Sequence, residues 1–113
     1  MIIVPIKKGK RMVDKNPMEL FQAEAPEVAK AFDDLIRAIV ASKGLDPKTK
    51  QLIYIAMKAS QGDISAVNAH IPMARKLGAS KEEVVDAILL TLTVSGIRGV
   101  VSCLPDAVRH FEE

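Results

Sequence analysis

The chain of 113 residues is long enough for one domain with its own hydrophobic core and too short for two independent cores. An apolar fraction of 49% excludes global disorder, and a net charge of +2 gives no charge-based argument for a nucleic-acid or membrane partner. An aromatic content of 4% is too small for a base-stacking surface. The single cysteine, Cys103, excludes an internal disulfide and a cysteine-based metal cluster. We therefore expect a cytoplasmic protein that holds no metal or cofactor.

Residues 1–15 are predicted to form an extended arm at the start of a single domain that spans residues 1–113. Residues 7–11 form a basic run that could contact phosphates, but no nucleic-acid-reading motif accompanies it, so nucleic acid is not an expected partner. The most apolar window, Val84 to Val94, contains Asp86 and is far too short to cross a membrane. We expect no membrane segment.

Helix-start signals recur along the chain. Asn16-Pro17 and Asp46-Pro47 each combine an N-cap residue with a proline at the first helical position. Ser80 and Glu83 have the spacing of a capping box. Together with the intervening apolar residues at helical spacing, these signals predict an all-α bundle of five to six short helices.

Glycines and prolines indicate where these helices end or change direction. Gly44 is predicted to end one helix in the left-handed conformation, and Asp63 to cap a new helix directly after Gly62. Pro72 lies inside that new helix, so we expect a kink or a restart there, which would leave the Asn68 carbonyl without its usual partner. Pro105 is predicted to restart the last helix.

The segment from Val84 to Ser95 is apolar or nearly so on every side of the predicted helix. A helix of this kind has to be covered on all sides, which a few short neighbouring helices can hardly achieve. A contact between subunits is the simplest cover, and we expect a homo-oligomer. The alternative is a central helix of a compact monomer.

The segment Leu45 to Ile53 resembles the corresponding helix of the carboxymuconolactone decarboxylase family, whose superfamily includes the alkylhydroperoxidase D-like disulfide reductases. The resemblance continues through Gly62, through Ala69-His70 and through Ala74 to Val84. It implies an alkylhydroperoxidase D-like helical fold that assembles into trimers or hexamers, with active sites near the subunit contacts.

The redox branch of that superfamily carries a glutamate followed by the motif Cys-x-x-Cys-x-x-x-His. The matching positions here hold Gln51, Asp63, Ala66 and His70, so both thiols are absent and the acid is an amide. Neither Asp nor Ala can replace a thiolate in disulfide exchange. We therefore do not expect alkylhydroperoxidase or disulfide-reductase activity, and we interpret Asp63 as a helix cap.

The decarboxylase branch is similar in another way, because it lacks the cysteine pair and keeps a histidine at the position of His70. Its carboxylated lactone substrate implies a proton donor and a cationic anchor. His70 is the candidate acid or base, and Arg75 and Arg98 are the candidate substrate-binding cations. The chain differs from this branch at Ala66, where an acidic residue is typical.

Two functional hypotheses follow. The first is a decarboxylase-like enzyme that acts on a small carboxylated or lactone-like metabolite with His70 as acid or base. The second is a non-catalytic, oligomeric member that binds a ligand or a partner, with His70 hydrogen-bonded as a structural residue. The surroundings of His70 distinguish them, because a dry and fully hydrogen-bonded imidazole favours the second.

Overall fold

A computed structural model describes residues 16–112, and the chain divides into two compact units, residues 1–42 and 43–113. The first unit contains α1 (Pro17–Glu24) and α2 (Pro26–Ala41). The second contains α3 (Pro47–Ser60), α4 (Ile64–Lys76), α5 (Lys81–Leu90), the four-residue α6 (Leu92–Ser95) and α7 (Arg98–Arg109). No strand occurs between residues 16 and 112. This confirms the all-α fold, and the extended arm predicted for residues 1–15 lies outside the described residues.

The predicted helix caps are confirmed. The Asn16, Asp46 and Asp63 side chains each accept a hydrogen bond from the backbone N–H three residues later, at 2.8 Å, 2.8 Å and 3.0 Å. Ser80 and Glu83 form a reciprocal capping box. Because a cap satisfies backbone N–H groups that have no partner within the helix, short polar side chains fix where these helices begin.

Helix α2 has one strongly apolar face, yet Ala29 is its one buried residue. Large apolar side chains on this helix are exposed, among them Phe32, Leu35, Ile36 and Ile39. The helix ends at Ala41, before the predicted stop at Gly44. The prediction of a left-handed Gly44 is wrong, because Ser42 closes the helix in extended backbone and its hydroxyl bonds the Ile39 carbonyl.

The core of the second unit lies between α3, α4, α5 and α7. Its fully buried side chains are Ile55, Val67, Ile71, Val84, Ile88 and Cys103. Helix α4 runs from Ile64 to Lys76 with Pro72 inside it, so the helix does not restart at that proline. Pro105 likewise lies inside α7 and does not begin a new helix.

The predicted helix from Val84 to Ser95 is broken at Thr91. Helix α5 ends at Leu90 and α6 begins at Leu92, and the buried Thr91 hydroxyl between them donates to the Ile88 carbonyl at 2.6 Å. Val84 and Ile88 face the core, whereas Leu90 is 65% exposed and Val94 is 82% exposed. Within a single chain, therefore, this segment is covered on one side only.

Gly99 lies inside α7, where the helix passes very close to α3. A Cβ atom at this position would fall 2.6 Å from the Ala59 carbonyl oxygen and 2.9 Å from the Thr91 hydroxyl. A backbone oxygen cannot move aside as a flexible side chain can. The close approach of α7 to α3 thus depends on a residue without a side chain.

We expect Gly99→Ala to lower the free energy of unfolding by about 1–3 kcal/mol, the usual cost of overpacking. The sign is informative, because Gly→Ala inside a helix otherwise stabilises by up to about 1 kcal/mol. Gly44→Ala, outside the helices, is the control for the same substitution in open space, since nothing lies within 4 Å of its Cβ position. Urea denaturation of the two variants checks this, and a stabilised Gly99→Ala protein would contradict it.

Candidate functional site

Helices α3 and α4 are joined by a tight turn at Gln61, Gly62 and Asp63. Gly62 has a positive φ of 71°, which suits glycine, and its N–H donates to the Ala59 carbonyl at 2.9 Å. Asp63 then caps α4 through Ala66. This turn sets the helices in a register that brings side chains of α3 against His70 on α4.

The His70 imidazole is held on two sides. Its Nδ1 lies 2.9 Å from the Gln51 Oε1 atom, and its ring stacks on Tyr54 with 4.0 Å between ring centroids. An amide oxygen accepts hydrogen bonds, so in the neutral ring Nδ1 carries the proton and donates it to Gln51. Nε2 is then the nitrogen with the free lone pair, and no side chain between residues 16 and 112 bonds to it.

The pKa of His70 is lowered from the ordinary value of 6.5, first by burial of the ring and second by the positive charge of Lys58. The half-buried imidazole is therefore neutral at pH 7. Nε2 can accept a proton as it stands, and it can donate one after a change in its surroundings has raised the pKa.

Lys58 extends from the last turn of α3 over the Tyr54 ring. Its Nζ lies 5.8 Å from the centre of the Tyr54 ring and 3.6 Å from Asp63 Oδ2. The Asp63 carboxylate thus uses both oxygens: Oδ2 pairs with Lys58, and Oδ1 accepts a hydrogen bond from the Ala66 N–H in the first turn of α4. Gln51, Tyr54 and Lys58 are three and four residues apart, so they share one face of α3.

The structure places the residues predicted from sequence in two groups. Gln51 contacts His70, and Asp63 lies at the start of the same helix beside Lys58. Arg98 packs against Gly62, since a Cβ there would lie 2.8 Å from its Nε. Arg75 belongs to a different place: it donates to the His110 carbonyl and lies 4.7 Å over the Phe111 ring.

A second polar cluster joins the end of α7 to α4. His110 Nε2 lies 3.0 Å from Asn68 Oδ1, while the Asn68 amide donates to Asp106 at 2.9 Å and Arg109 pairs with Asp106. The Asn68 hydrogen bond, with Arg109 and His110 nearby, lowers the pKa of Asp106. His110 is thus half-buried and hydrogen-bonded.

Sequence reasoning missed Tyr54 and Lys58 as parts of the site. Their spacing from Gln51 was a usable signal, because residues three and seven positions later lie on the same helical face. Among residues 16–112 no cluster of three or more His, Cys, Asp or Glu side chains could hold a metal ion. In the same range, no helix is both long and apolar enough to cross a membrane.

Cys103 is fully buried in the core. Burial raises the pKa of its thiol, and the charges of Asp106 and Asp63 raise it further. The thiolate, which is the reactive form, is therefore disfavoured at neutral pH.

We expect no thiol-dependent reduction of hydroperoxides above background, because Asp63 and Ala66 stand at the thiol positions and Cys103 is inaccessible. The measurement is hydroperoxide consumption by the parent and by Cys103→Ser at equal chain concentration. Native Cys103 should also react with a thiol reagent at least tenfold more slowly than in the unfolded chain. Turnover by the parent that disappears in Cys103→Ser would contradict this prediction, and turnover that survives in Cys103→Ser would show a peroxidase chemistry that uses no thiol of this chain.

Comparisons with known proteins agree with the fold. Residues 26–105 match the family model described as "Carboxymuconolactone decarboxylase family". Two uncharacterized proteins of Methanocaldococcus jannaschii are 27% and 32% identical, over 75% and 71% of this chain and 79% and 78% of their own lengths. A crystal structure from Burkholderia xenovorans LB400, of a protein assigned by name to the carboxymuconolactone decarboxylases, superposes with a TM-score of 0.77 at 23% identity, covering 84% of this chain and 74% of that one. The chain belongs to the carboxymuconolactone decarboxylase family.

Proposed function

We propose that this protein is a decarboxylase-like lyase that acts on a small carboxylated or lactone-like metabolite, with His70 exchanging a proton through Nε2. The observation that carries the proposal is the asymmetry of the imidazole: Nδ1 is held by Gln51 at 2.9 Å, whereas Nε2 has no partner between residues 16 and 112. A histidine with one nitrogen fixed and the other free is oriented for proton transfer at a single atom.

The proposed chemical step is loss of CO2 from a carboxylated lactone. The carbon–carboxylate bond breaks, its electron pair passes into conjugation with the lactone carbonyl, and the resulting carbanion takes a proton from His70 Nε2. His70 must first acquire that proton from solvent. A bound carboxylate favours this uptake, because a nearby negative charge raises the pKa of an imidazole.

The alternative is a non-catalytic member that binds a ligand or a partner. The contacts of His70 with Gln51 and Tyr54 favour it, because both would also hold a structural histidine in place. Against it, Nε2 has no side-chain partner between residues 16 and 112, which proton transfer requires and a purely structural role does not. We therefore prefer the enzyme.

We further propose a homo-oligomer, a trimer or a hexamer, of single-domain chains in the cytoplasm. Exposed apolar side chains support assembly: on α2 they include Leu35 and Ile39, and beyond the core face of α5 they include Leu90, Leu92 and Val94. Exposed apolar surface on this scale is typical of protein–protein contacts. The family match covers residues 26–105 and so includes parts of both units, which supports one domain.

His70→Gln should lower the rate of CO2 release from carboxymuconolactone by at least about a hundredfold, the usual contribution of a positioned acid or base. For the parent, kcat/KM should fall as pH rises through the pKa of free His70, which lies below 6.5, because the free enzyme must take up a proton. His110→Gln is the control and should retain activity. Equal, measurable rates for His70→Gln and the parent would exclude His70 as the acid. No CO2 release by the parent above background would favour the non-catalytic alternative, and a rate that rises with pH would make His70 a base.

Leu35→Asp and Leu90→Asp should dissociate the assembly without unfolding the chain, because both side chains are exposed within one chain, at 54% and 65%. An unpaired carboxylate is costly only where an interface buries it. Light scattering gives the mass, and circular dichroism reports the fold. Lys43→Asp, at an exposed position outside the helices, is the control. A parent with the mass of one chain would contradict the proposed assembly.

A further inference from the structure

The free end of the Lys58 side chain is the most available charge close to His70. The Lys58 backbone is fixed, since its carbonyl accepts hydrogen bonds from the N–H groups of Gln61 and Asp63 at 3.1 Å and 3.0 Å. The ammonium is at the end of a flexible stem and 31% of the side chain is exposed to solvent. Because the backbone of Lys58 is fixed and its side chain is flexible, the ammonium can move toward a ligand without any movement of α3.

Asp63 holds this ammonium loosely. The Nζ to Oδ2 distance of 3.6 Å is longer than the roughly 2.7–2.9 Å of a charge-assisted hydrogen bond, and the Asp63 side chain is 39% exposed. The other carboxylate oxygen is committed to the Ala66 N–H at 3.0 Å. The Asp63 carboxylate therefore stays at the start of α4, because moving with the Lys58 ammonium would break its hydrogen bond to the Ala66 N–H.

The other candidate cations are placed less well. Arg75 is bound to the His110 carbonyl and to the Phe111 ring, away from the Gln51–Tyr54 face of His70. Arg98 packs its guanidinium against Gly62 and so lies at the turn rather than over the Tyr54 ring. Lys58 is better placed for two reasons. Its ammonium lies over the Tyr54 ring, which stacks on His70, and its positive charge lowers the pKa of the His70 imidazole.

We infer that Lys58 is the anchor for the carboxylate of a small anionic ligand bound beside His70 Nε2, and that Asp63 pairs with Lys58 in the free protein. This inference rests on the proposed function, whose site it shares. The ligand class is a lactone or similar small molecule whose reacting carbon carries a carboxylate. The ligand carboxylate replaces Asp63 as the partner of the Lys58 ammonium, and the reacting carbon of the ligand then lies toward His70 Nε2.

This arrangement couples ligand binding to protonation of His70. Lys58 on α3 is the charged group whose field lowers the pKa of His70; Asp63 at the start of α4 pairs with Lys58, and Tyr54 is the titratable group in ring contact. A bound carboxylate neutralises the Lys58 charge and adds a negative charge near the imidazole. Both effects favour the imidazolium, which is the form that donates a proton.

The test uses two probes that share one lactone ring and differ in charge, γ-carboxy-γ-butyrolactone and its uncharged methyl ester. Binding to the full chain is followed by the imidazole resonances of His70, which are distinguished from those of His110 with His110→Gln. The parent should bind the carboxylate more tightly than the ester. Lys58→Met should weaken carboxylate binding about tenfold or more and leave the ester unchanged, because one charge-assisted contact is lost. Lys58→Arg should restore most of the affinity.

Two further variants act as controls. Without a probe, Lys58→Met should raise the pKa of His70, whereas Lys76→Met, on the exposed end of α4, should leave it unchanged. Equal or absent binding of the two probes by the parent would overturn the inference. So would a loss of carboxylate affinity in Arg98→Met as large as in Lys58→Met, or an unchanged His70 pKa in Lys58→Met.

The outcomes also separate this inference from the proposed function. If His70→Gln abolishes turnover while Lys58→Met binds and turns over like the parent, the enzyme proposal stands and the anchor is wrong. If carboxylate binding needs Lys58 while His70→Gln binds equally well and no variant turns over, the anchor stands and catalysis by His70 is wrong. Thermal unfolding of Lys58→Met at the parent's temperature establishes that the loss is not misfolding.

Discussion

The turn from Gly62 to Asp63 is the constraint on which the site depends. Gly62 supplies a backbone conformation that side chains disfavour, and one oxygen of Asp63 caps α4 at Ala66. Together they fix the residue at which α4 begins, and so the position of His70 opposite Gln51 and Tyr54 on α3. A shift of one residue would rotate His70 by about 100° around its helix and separate it from both.

Features set by neighbouring residues could be predicted from the sequence, and features set by packing could not. The caps at Asp46, Asp63 and Ser80 depend on local hydrogen bonds, and all three are confirmed. The break at Thr91 was missed, because a hydroxyl that turns back to a carbonyl three residues earlier occurs inside helices as well as at their ends, so the residue type does not mark the break. The role of Gly99 was missed as well, since the oxygen that excludes a Cβ belongs to Ala59 on another helix.

The same distinction applies to the candidate site. His70 and Gln51 were identified by resemblance, and their hydrogen bond now shows that they meet. Gln51 limits the chemistry available to His70. Its amide oxygen accepts a hydrogen bond from Nδ1–H but cannot take up the proton, so the proposed proton transfer uses Nε2. A glutamate at this position could relay a proton, and a thiolate in place of Asp63 or Ala66 could receive one. Gln51, Asp63 and Ala66 stand where the redox branch has its glutamate and two cysteines. Of that group, the His70 imidazole is the side chain that still matches, and the proposal assigns proton transfer to its Nε2 atom.

The site and the proposed assembly are linked by the need to exclude water. An exposed lysine holds a carboxylate with only about 0–1 kcal/mol, because solvent screens the pair. Met57, next to Lys58 on α3, is 55% exposed, and Ile53 one turn earlier is 42% exposed. A second chain that covered these apolar side chains would lower the local dielectric and strengthen both the Lys58–carboxylate contact and its effect on His70. Assembly would then increase ligand affinity without adding a single polar contact, which gives the apolar surface of α3 a part in the chemistry.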